Sequence, residues 1–434
     1  MNLENRLAQW VTYYEESGYL NGSLLIASNE KIYINKGIGM ANWEHMVPNK
    51  PTTKFRIGSL TKAFTSFAIF QLHEEKKLNI HDCIGKYIRN YPQDNKITIY
   101  HCLTNTSGIP NFTSFDDFWF KSMRLPSTLE ELIDSFKNME LEFEPGSRFE
   151  YSNSGYIVLT AIIESVSNMS YAEYIKEKIC LPLGMKNTGC DDGVHVIPNL
   201  ASGYSFWEKP IHAAYTDLTF PLGAYGLYST TEDLLIWDKA LNSPQLLSDE
   251  LKKLMVAPNH SSYACGWMVS DMFGRKAMHH FGDISGYCSD LVRFTEDNLT
   301  IIFLSNMSIT PVTHLTREIA KVMFKEDLSV CFPFTPIDFT DIESKVGNYF
   351  VKGEQYPKFH ISMKNAELFL TVPKLYGIVY KFKLVPVKHD SLTTMFVTEM
   401  IDEQLTFYYS LLGELEYVEY KDFYGQRHIV NKKF

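Results

Sequence analysis

The chain is β-rich near both ends of its first three hundred residues and helical in between, and this order restricts the folds open to it. Gly22–Ser28 and Lys31–Ile38 are two apolar, β-prone runs joined at Asn29-Glu30, the pattern of a hairpin. Strand-like runs return at Ala264–Ser270, Lys276–Phe281, Ser289–Phe294 and Leu299–Ser305, with turns expected near Phe273-Gly274 and Glu296-Asp297-Asn298. Between them, residues 80–250 read as mostly helical, punctuated by Pro145-Gly146 and Pro182-Leu183-Gly184, with an irregular aromatic stretch over 192–222. A helix is expected at Val312–Phe324. Strands at both ends with helices between predict an α+β unit: an antiparallel sheet built from sequence-distant parts, carrying an inserted helical lobe.

Beyond this unit the period changes. Lys358–Met363, Glu367–Val372, Tyr380–Val387, Thr393–Val397, Leu405–Ser410 and Leu415–Tyr420 are short β-prone runs at near-regular spacing, which predicts a small all-β barrel or sandwich. With 434 residues, two domains are expected: 1–330, a linker at 331–336 around Phe332-Pro333-Phe334-Thr335-Pro336, and 337–434. A net charge of −10 argues against non-specific nucleic-acid binding and against docking on an anionic membrane. The start, Met1-Asn-Leu-Glu-Asn-Arg6, has no basic segment followed by an apolar one, and no apolar run approaches the ~20 residues of a membrane span. A cytoplasmic location is therefore expected. The seven cysteines, at 83, 102, 180, 190, 265, 288 and 331, form no Cys-x-x-Cys pair and read as reduced thiols rather than a disulfide framework or a zinc site.

Chemistry is concentrated at three places. Ser59-Leu60-Thr61-Lys62 heads a helix expected from Ser59 to Lys77, with Leu60, Phe64, Phe67, Ala68 and Leu72 on one apolar stripe. A serine and a lysine three apart share a helix face about 5–6 Å apart, so the amine can exchange a proton with the hydroxyl. Free N–H groups at the helix start favour negative charge there. By itself Ser-x-x-Lys is weak, and a capping serine beside an exposed lysine is the common alternative; Gly58, which allows close approach of backbone or substrate, and two later motifs raise its weight. Tyr151-Ser152-Asn153 supplies a phenol, a base only if a cation such as Lys62 pulls it down from about 10. Asn153 supplies an amide for a substrate carbonyl. His280-Phe281-Gly282 lies on a strand whose glycine lets an acyl group lie along the edge. The N–H of Asp283 is expected to pair with that of Ser59 as an oxyanion hole. Tyr33-Ile34-Asn35 and Lys345-Val346-Gly347 match looser forms of the second and third motifs and read as strand packing and the opening of a barrel strand. His279 and His280, adjacent on a strand, point to opposite faces, so no metal site is expected.

Together the three motifs resemble the serine beta-lactamase and penicillin-binding protein family, in the branch holding class C beta-lactamases, D-alanyl-D-alanine carboxypeptidases, D-aminopeptidases and esterases. Leu103-Thr-Asn-Thr-Ser-Gly-Ile-Pro110, Tyr151-Ser-Asn-Ser-Gly-Tyr156, Gly226-Leu-Tyr-Ser-Thr-Thr-Glu-Asp-Leu234 and Leu304-Ser-Asn306 agree with it, and the similarity spans residues 10–328. The resemblance implies a cofactor-free serine hydrolase. In it Ser59 is acylated, Lys62 is its proton partner, Tyr151 is base and then acid, Asn153 binds the substrate amide, and His280 is the outer wall. Substrates would be small acyl esters or short D-residue peptides, with beta-lactams as further candidates. A true beta-lactamase, or an acylatable sensor with little turnover, is the alternative.

Departures narrow the substrate. The family usually presents Lys-Thr-Gly or Lys-Ser-Gly, whose cation and hydroxyl hold a carboxylate. Here His280 is expected to titrate at about 6–7, and Phe281 has no hydroxyl, so carboxylate anchoring is weakened. Asp283 stands where a small residue is usual; its carboxylate should repel anions and attract an amine. The aromatic segments Phe112–Phe120 and Tyr204–Phe220 read as an apolar substrate wall or as core anchors. Residues 337–434 resemble a lipocalin-like appendage opening at Gly347-Asn348-Tyr349. It is read as a structural module that narrows the site's mouth or mediates homo-oligomers, rather than as a ligand-binding barrel.

Overall fold

Strands Gly22–Ser28 and Leu299–Ser305, from opposite ends of the first unit, pair antiparallel from Ser23 opposite Leu304 to Ser28 opposite Leu299. The computed structural model describes residues 2–433 except 17, 93–94, 242–246, 326–334, 374–378, 400, 402 and 423–424. These residues form two units, one of 22–202 and 214–306 and one of 1–21, 203–213 and 307–434. The Cys331–Phe334 part of the expected linker lies outside the described residues.

The first unit is organised on a six-stranded sheet in the order Met268–Met272, Arg275–Ile284, Tyr287–Phe294, Leu299–Ser305, Gly22–Ser28, Lys31–Ile38. Its central strands are buried on both faces, which is why they read as continuous apolar runs rather than as an alternation. The first strand of the meander begins four residues later than expected, because Ala264–Trp267 closes a turn by the bond from Ala264 N–H to Trp267 O (2.7 Å).

Helix Thr61–Glu74 runs through the unit. The expected stripe is only part of its buried surface: every residue from Thr61 to Leu72 is buried, Lys62, Thr65 and Ser66 included. A helix wrapped on all sides has no polar face to spare, and this forces the lysine inside. It stops where Lys76 turns left-handed (φ 58°), with Lys77 N–H donating to Leu72 O (2.9 Å) and Lys76 N–H to His73 O (3.0 Å). Phe64 stacks on Trp237 with ring centres 4.2 Å apart, and Phe67 meets the same indole edge-on at 4.8 Å. The middle of the chain is less helical than expected: Asn153–Ser167 and Thr231–Leu241 are its longest helices, and short strands at Phe55–Arg56, Gly189–Cys190 and Leu227–Ser229 form a small second sheet.

In the second unit, eight strands from Gly347–Val351 to Arg427–Lys433 pair each with the next, and the first pairs with the last (Asn348 opposite Lys433), closing a barrel. Rings fill its interior, as in Tyr349 on Phe359 (4.8 Å), Phe359 on Tyr420 (5.0 Å) and Phe396 on Phe407 (5.7 Å). The closing strand escaped the sequence reading because only Val430 of its seven residues is buried. Lys345 ends the 3₁₀ turn Glu343–Lys345, and Gly347 opens the first barrel strand. Helices Leu3–Glu16 and Val312–Phe324 pack on each other in this unit. The first part of the aromatic stretch also belongs to this unit: Tyr204–Trp207 and Lys209–His212 form a hairpin whose Trp207 pairs parallel with Lys381, while the turn residue Glu208 takes ion pairs from Lys364 and Lys381, both at 2.7 Å.

Because the Phe64 ring is enclosed by Trp237 and the core, Phe64→Ala should lower the unfolding free energy of the first unit by about 3–5 kcal/mol. Denaturant titration followed by tryptophan emission measures this, and a change below about 1 kcal/mol would show that the core closes over the cavity.

Candidate active site

Ser59 lies in the 3₁₀ turn Gly58–Leu60 that leads into helix Thr61–Glu74, and is half-buried. The turn is pressed against strand Arg275–Ile284. A Cβ on Gly58 (φ 53°) would fall 2.4 Å from Asp283 N and 2.7 Å from Asp283 O, and one on Gly282 would fall 1.9 Å from Ile57 O. Only glycine at both positions permits this approach.

The strand also offers a free edge there. Met268–Met272 pairs only with Arg275–His279, so on that side His280–Ile284 has no partner strand among the described residues. On the other side, the two-residue loop Ser285-Gly286 makes Ile284–Tyr287 the hydrogen-bonded closing pair. The next pair, Asp283–Cys288, is then of the open kind, and Asp283 N–H points outward at the Gly58–Ser59 turn. The two N–H groups expected to form an oxyanion hole are thus brought to one corner.

Lys62 Nζ is fully buried, 3.0 Å from Ser59 Oγ, 2.7 Å from Asn153 Oδ1 and 2.8 Å from Ala224 O. Burial pushes the amine well below the usual lysine range. A neutral amine has two N–H bonds and one lone pair. Asn153 Oδ1 and Ala224 O are acceptors only and take two N–H bonds, so in that neutral form the lone pair is left for the Ser59 hydroxyl, to whose Oγ the protonated amine donates. The Tyr151 phenol hydrogen-bonds the same serine oxygen, and the lysine amine lies 4.8 Å from the centre of its ring. Desolvation pushes the phenol above its usual range, outweighing the bond to Ser59. The lowering of the Tyr151 pKa expected from Lys62 is not met, because burial of the phenol outweighs it.

Asn153, the first residue of helix Asn153–Ser167, is held in place by residues the motif search passed over. Its Nδ2 donates to Thr113 Oγ1 (3.0 Å), and both its backbone N–H (3.0 Å) and the Thr113 hydroxyl (3.1 Å) donate to Asn111 Oδ1. The signal lies in Asn111-Phe112-Thr113, at the start of the aromatic segment, where the polar residues flanking Phe112 do the holding. One Asn153 N–H remains for a substrate.

The sequence matches the beta-lactamase family over residues 7–322. The chain belongs to that family. It is 31% identical over 320 residues to protein flp of Staphylococcus aureus strain MW2, with 70% of this chain aligned, and it spans 63% of that protein's length. Among solved structures it is similar to the octameric penicillin-binding protein homologue from Pyrococcus abyssi, with a TM-score of 0.68, 24% identity and 99% and 100% of the two chains covered. It is also similar to D-amino acid amidase from Ochrobactrum anthropi SV3, with a TM-score of 0.66, 20% identity and coverage of 75% and 99%. The beta-lactamase fold is shared with both, and at family level it is a scaffold of serine acyl transfer.

His280 departs from what its sequence position predicted. It is buried, its Nδ1 lies 2.6 Å from Phe281 O, and its Nε2 lies 3.4 Å from Tyr263 Oη. A carbonyl only accepts, so Nδ1 carries the proton and Nε2 accepts from the Tyr263 hydroxyl. Desolvation by burial, the largest cause, pushes the imidazole down to about 3. The titration expected at about 6–7 is absent for that reason, and the ring's one N–H is engaged by its own strand. Tyr263, carried by no motif, sits between His280 and the Tyr156 hydroxyl (3.4 Å).

Asp283 is half-buried, and desolvation pushes its carboxyl up to about 7. His279 takes the opposite face from His280, with Nε2 3.5 Å from Ser270 Oγ. Asn35 of the first look-alike motif donates to Glu232 Oε1 (2.8 Å) on the hairpin and takes no part in the site. Of the aromatic segments, Phe112, Phe115, Phe118 and Phe220 line a cavity of about 220 Å³ together with Leu125 and Leu132, whereas Phe120 is 79% exposed. No described helix is long and apolar enough to cross a membrane. None of the six described cysteines is in a disulfide.

The folded protein keeps His280 neutral down to about pH 3, while the unfolded chain takes up that proton near 6.5. The unfolded state therefore binds more protons between these values, and the stability that His280 confers is lost as pH falls from 6.5 towards 3. Denaturant midpoints of wild type and His280→Asn should diverge above pH 6.5 and converge at pH 4; a difference independent of pH would show that the ring is not held neutral.

Proposed function

We propose that this chain is a serine hydrolase working through an acyl-Ser59 intermediate on small esters and amides, including amides and short peptides of D-amino acids. The observation that carries this is the buried Lys62 amine 3.0 Å from Ser59 Oγ, its other two bonds fixed on oxygen and its pKa pushed well down by burial. As Oγ bonds to the carbonyl carbon, its proton passes to Lys62 and the carbonyl electron pair moves onto oxygen. The N–H groups of Ser59 and Asp283 hold that oxyanion. When the carbonyl re-forms, the bond to the leaving group breaks, and the departing oxygen or nitrogen takes the phenolic proton of Tyr151, which the ammonium of Lys62 beside that ring replaces directly. A water molecule then repeats the sequence, giving its proton to the same network and releasing the acid and free Ser59.

Tyr151 acts in this scheme as a neutral relay, since its phenol is held above its usual range. Asn153 binds the substrate carbonyl with its remaining N–H. His280, neutral and internally bonded, and Phe281 give a substrate carboxylate little to hold, which favours ester and amide substrates without one. D-amino acid amides, the substrates named for the amidase neighbour, are the class to try first. For the barrel, a filled interior supports a structural role over ligand binding.

Incubation with p-nitrophenyl acetate should add one acetyl group to Ser59, read by peptide mass, with sustained p-nitrophenol release. Ser59→Ala should lose the adduct and at least about a thousandfold in rate. Lys62→Arg, whose guanidinium stays charged, should lose at least about a hundredfold. An unchanged rate in Ser59→Ala rejects the mechanism, and a stoichiometric burst without turnover identifies an acylatable sensor instead.

A further inference from the structure

We propose that the Asp283 carboxylate is the specificity group of this site, binding the ammonium on the carbon next to the scissile carbonyl, so that the preferred substrates are α-amino esters and amides with a free amine. This rests on the reading of Ser59 as the nucleophile and deepens it.

The placement follows from the backbone. Asp283 N–H points at the Gly58–Ser59 turn, in the corner where the carbonyl oxygen of a bound substrate would sit. The side chain that leaves the same residue starts next to that oxygen, and an α-amine is separated from the oxygen by only the carbonyl carbon and the α-carbon. A carboxylate rooted at the oxyanion corner therefore has an α-ammonium within reach, with no change of the main-chain register.

The charge balance of the site points the same way. Asp283 has no hydrogen-bond or ion-pair partner among the described residues, and desolvation alone accounts for its raised carboxyl. The basic residues of the surrounding elements are neutral or engaged. Lys62 is engaged by three oxygens, and burial pushes its pKa well down; His280 is neutral, with Nδ1–H donated to Phe281 O; Arg56 is paired with Asp191 at 2.8 Å and lies over the Tyr287 ring. A desolvated carboxyl with no counter-charge of its own is costly, and a cationic ligand removes that cost. The same charge disfavours substrates that place a carboxylate near the corner, consistent with the missing anion anchors at His280 and Phe281.

The test compares kcat/KM for D-alanine methyl ester and N-acetyl-D-alanine methyl ester at pH 7.5, in wild type and in the isosteric Asp283→Asn. Wild type should prefer the free amine by about ten- to a hundredfold, the range of a charge-assisted bond, and the variant should show no more than about a twofold preference. Circular dichroism confirms that the variant is folded. An equal ratio in both proteins, a wild-type preference for the acetylated ester, or turnover of p-nitrophenyl acetate with neither alanine ester hydrolysed would each overturn the assignment while leaving Ser59 as the nucleophile. A wild type whose Ser59 takes no acetyl group from p-nitrophenyl acetate overturns the underlying reading instead.

Discussion

An amine buried without a carboxylate beside it sets the rest of this structure. Lys62 sits on a helix enclosed on every side, so desolvation disfavours its proton while three oxygens fix its geometry. In its neutral form, with two N–H bonds fixed on oxygen, its lone pair is left for the hydrogen of Ser59. The Tyr151 phenol, His280 and Tyr263 are arranged around this uncharged centre, and each is held in its neutral form by the same exclusion of water. A charged lysine in that place would disfavour the imidazole's proton further and demand an anion that the site lacks.

A second constraint is the close contact of two backbones. The turn carrying Ser59 and the strand carrying Asp283 approach to distances that no Cβ at 58 or 282 allows. Two glycines, over two hundred residues apart, thereby bring the N–H groups of Ser59 and Asp283 to one corner. The short edge strand Met268–Met272 contributes by stopping at His279, which leaves that edge of His280–Ile284 without a partner strand among the described residues. Electrostatics and main-chain geometry thus meet at the same point, an uncharged base on one side of the hydroxyl and N–H groups at the other.

Much of this was legible in the residues. The hairpin at Asn29-Glu30, the last three meander strands and helix Val312–Phe324 are written as local periodicity, and six of the eight barrel strands as short apolar runs. The three motifs survived because their spacing is local: Ser59 with Lys62 on one helical turn, Tyr151 with Asn153, His280 with Gly282. What failed to show was either non-local or unpatterned. Tyr263, Thr113 and the Ala224 carbonyl touch the site from an isolated bridge, a 3₁₀ turn and a one-turn helix, none with a sequence signature, and strand Arg427–Lys433 buries too little to be seen. The aromatics of 204–212 read equally as a substrate wall or as core anchors, yet the stretch forms a hairpin pairing with a barrel strand, a partnership that no local rule contains.

Sequence alone determined which groups are available to react, their order along the chain and the elements that carry them, because helix and strand periods are local properties. It also determined where glycine stands, and so where two main chains are able to touch. Tertiary structure decided the charges. Whether Lys62 is an acid or a base, whether His280 donates or accepts, and whether Asp283 meets a counter-ion depend on water excluded by residues far away in the chain, and protonation follows that exclusion rather than residue type.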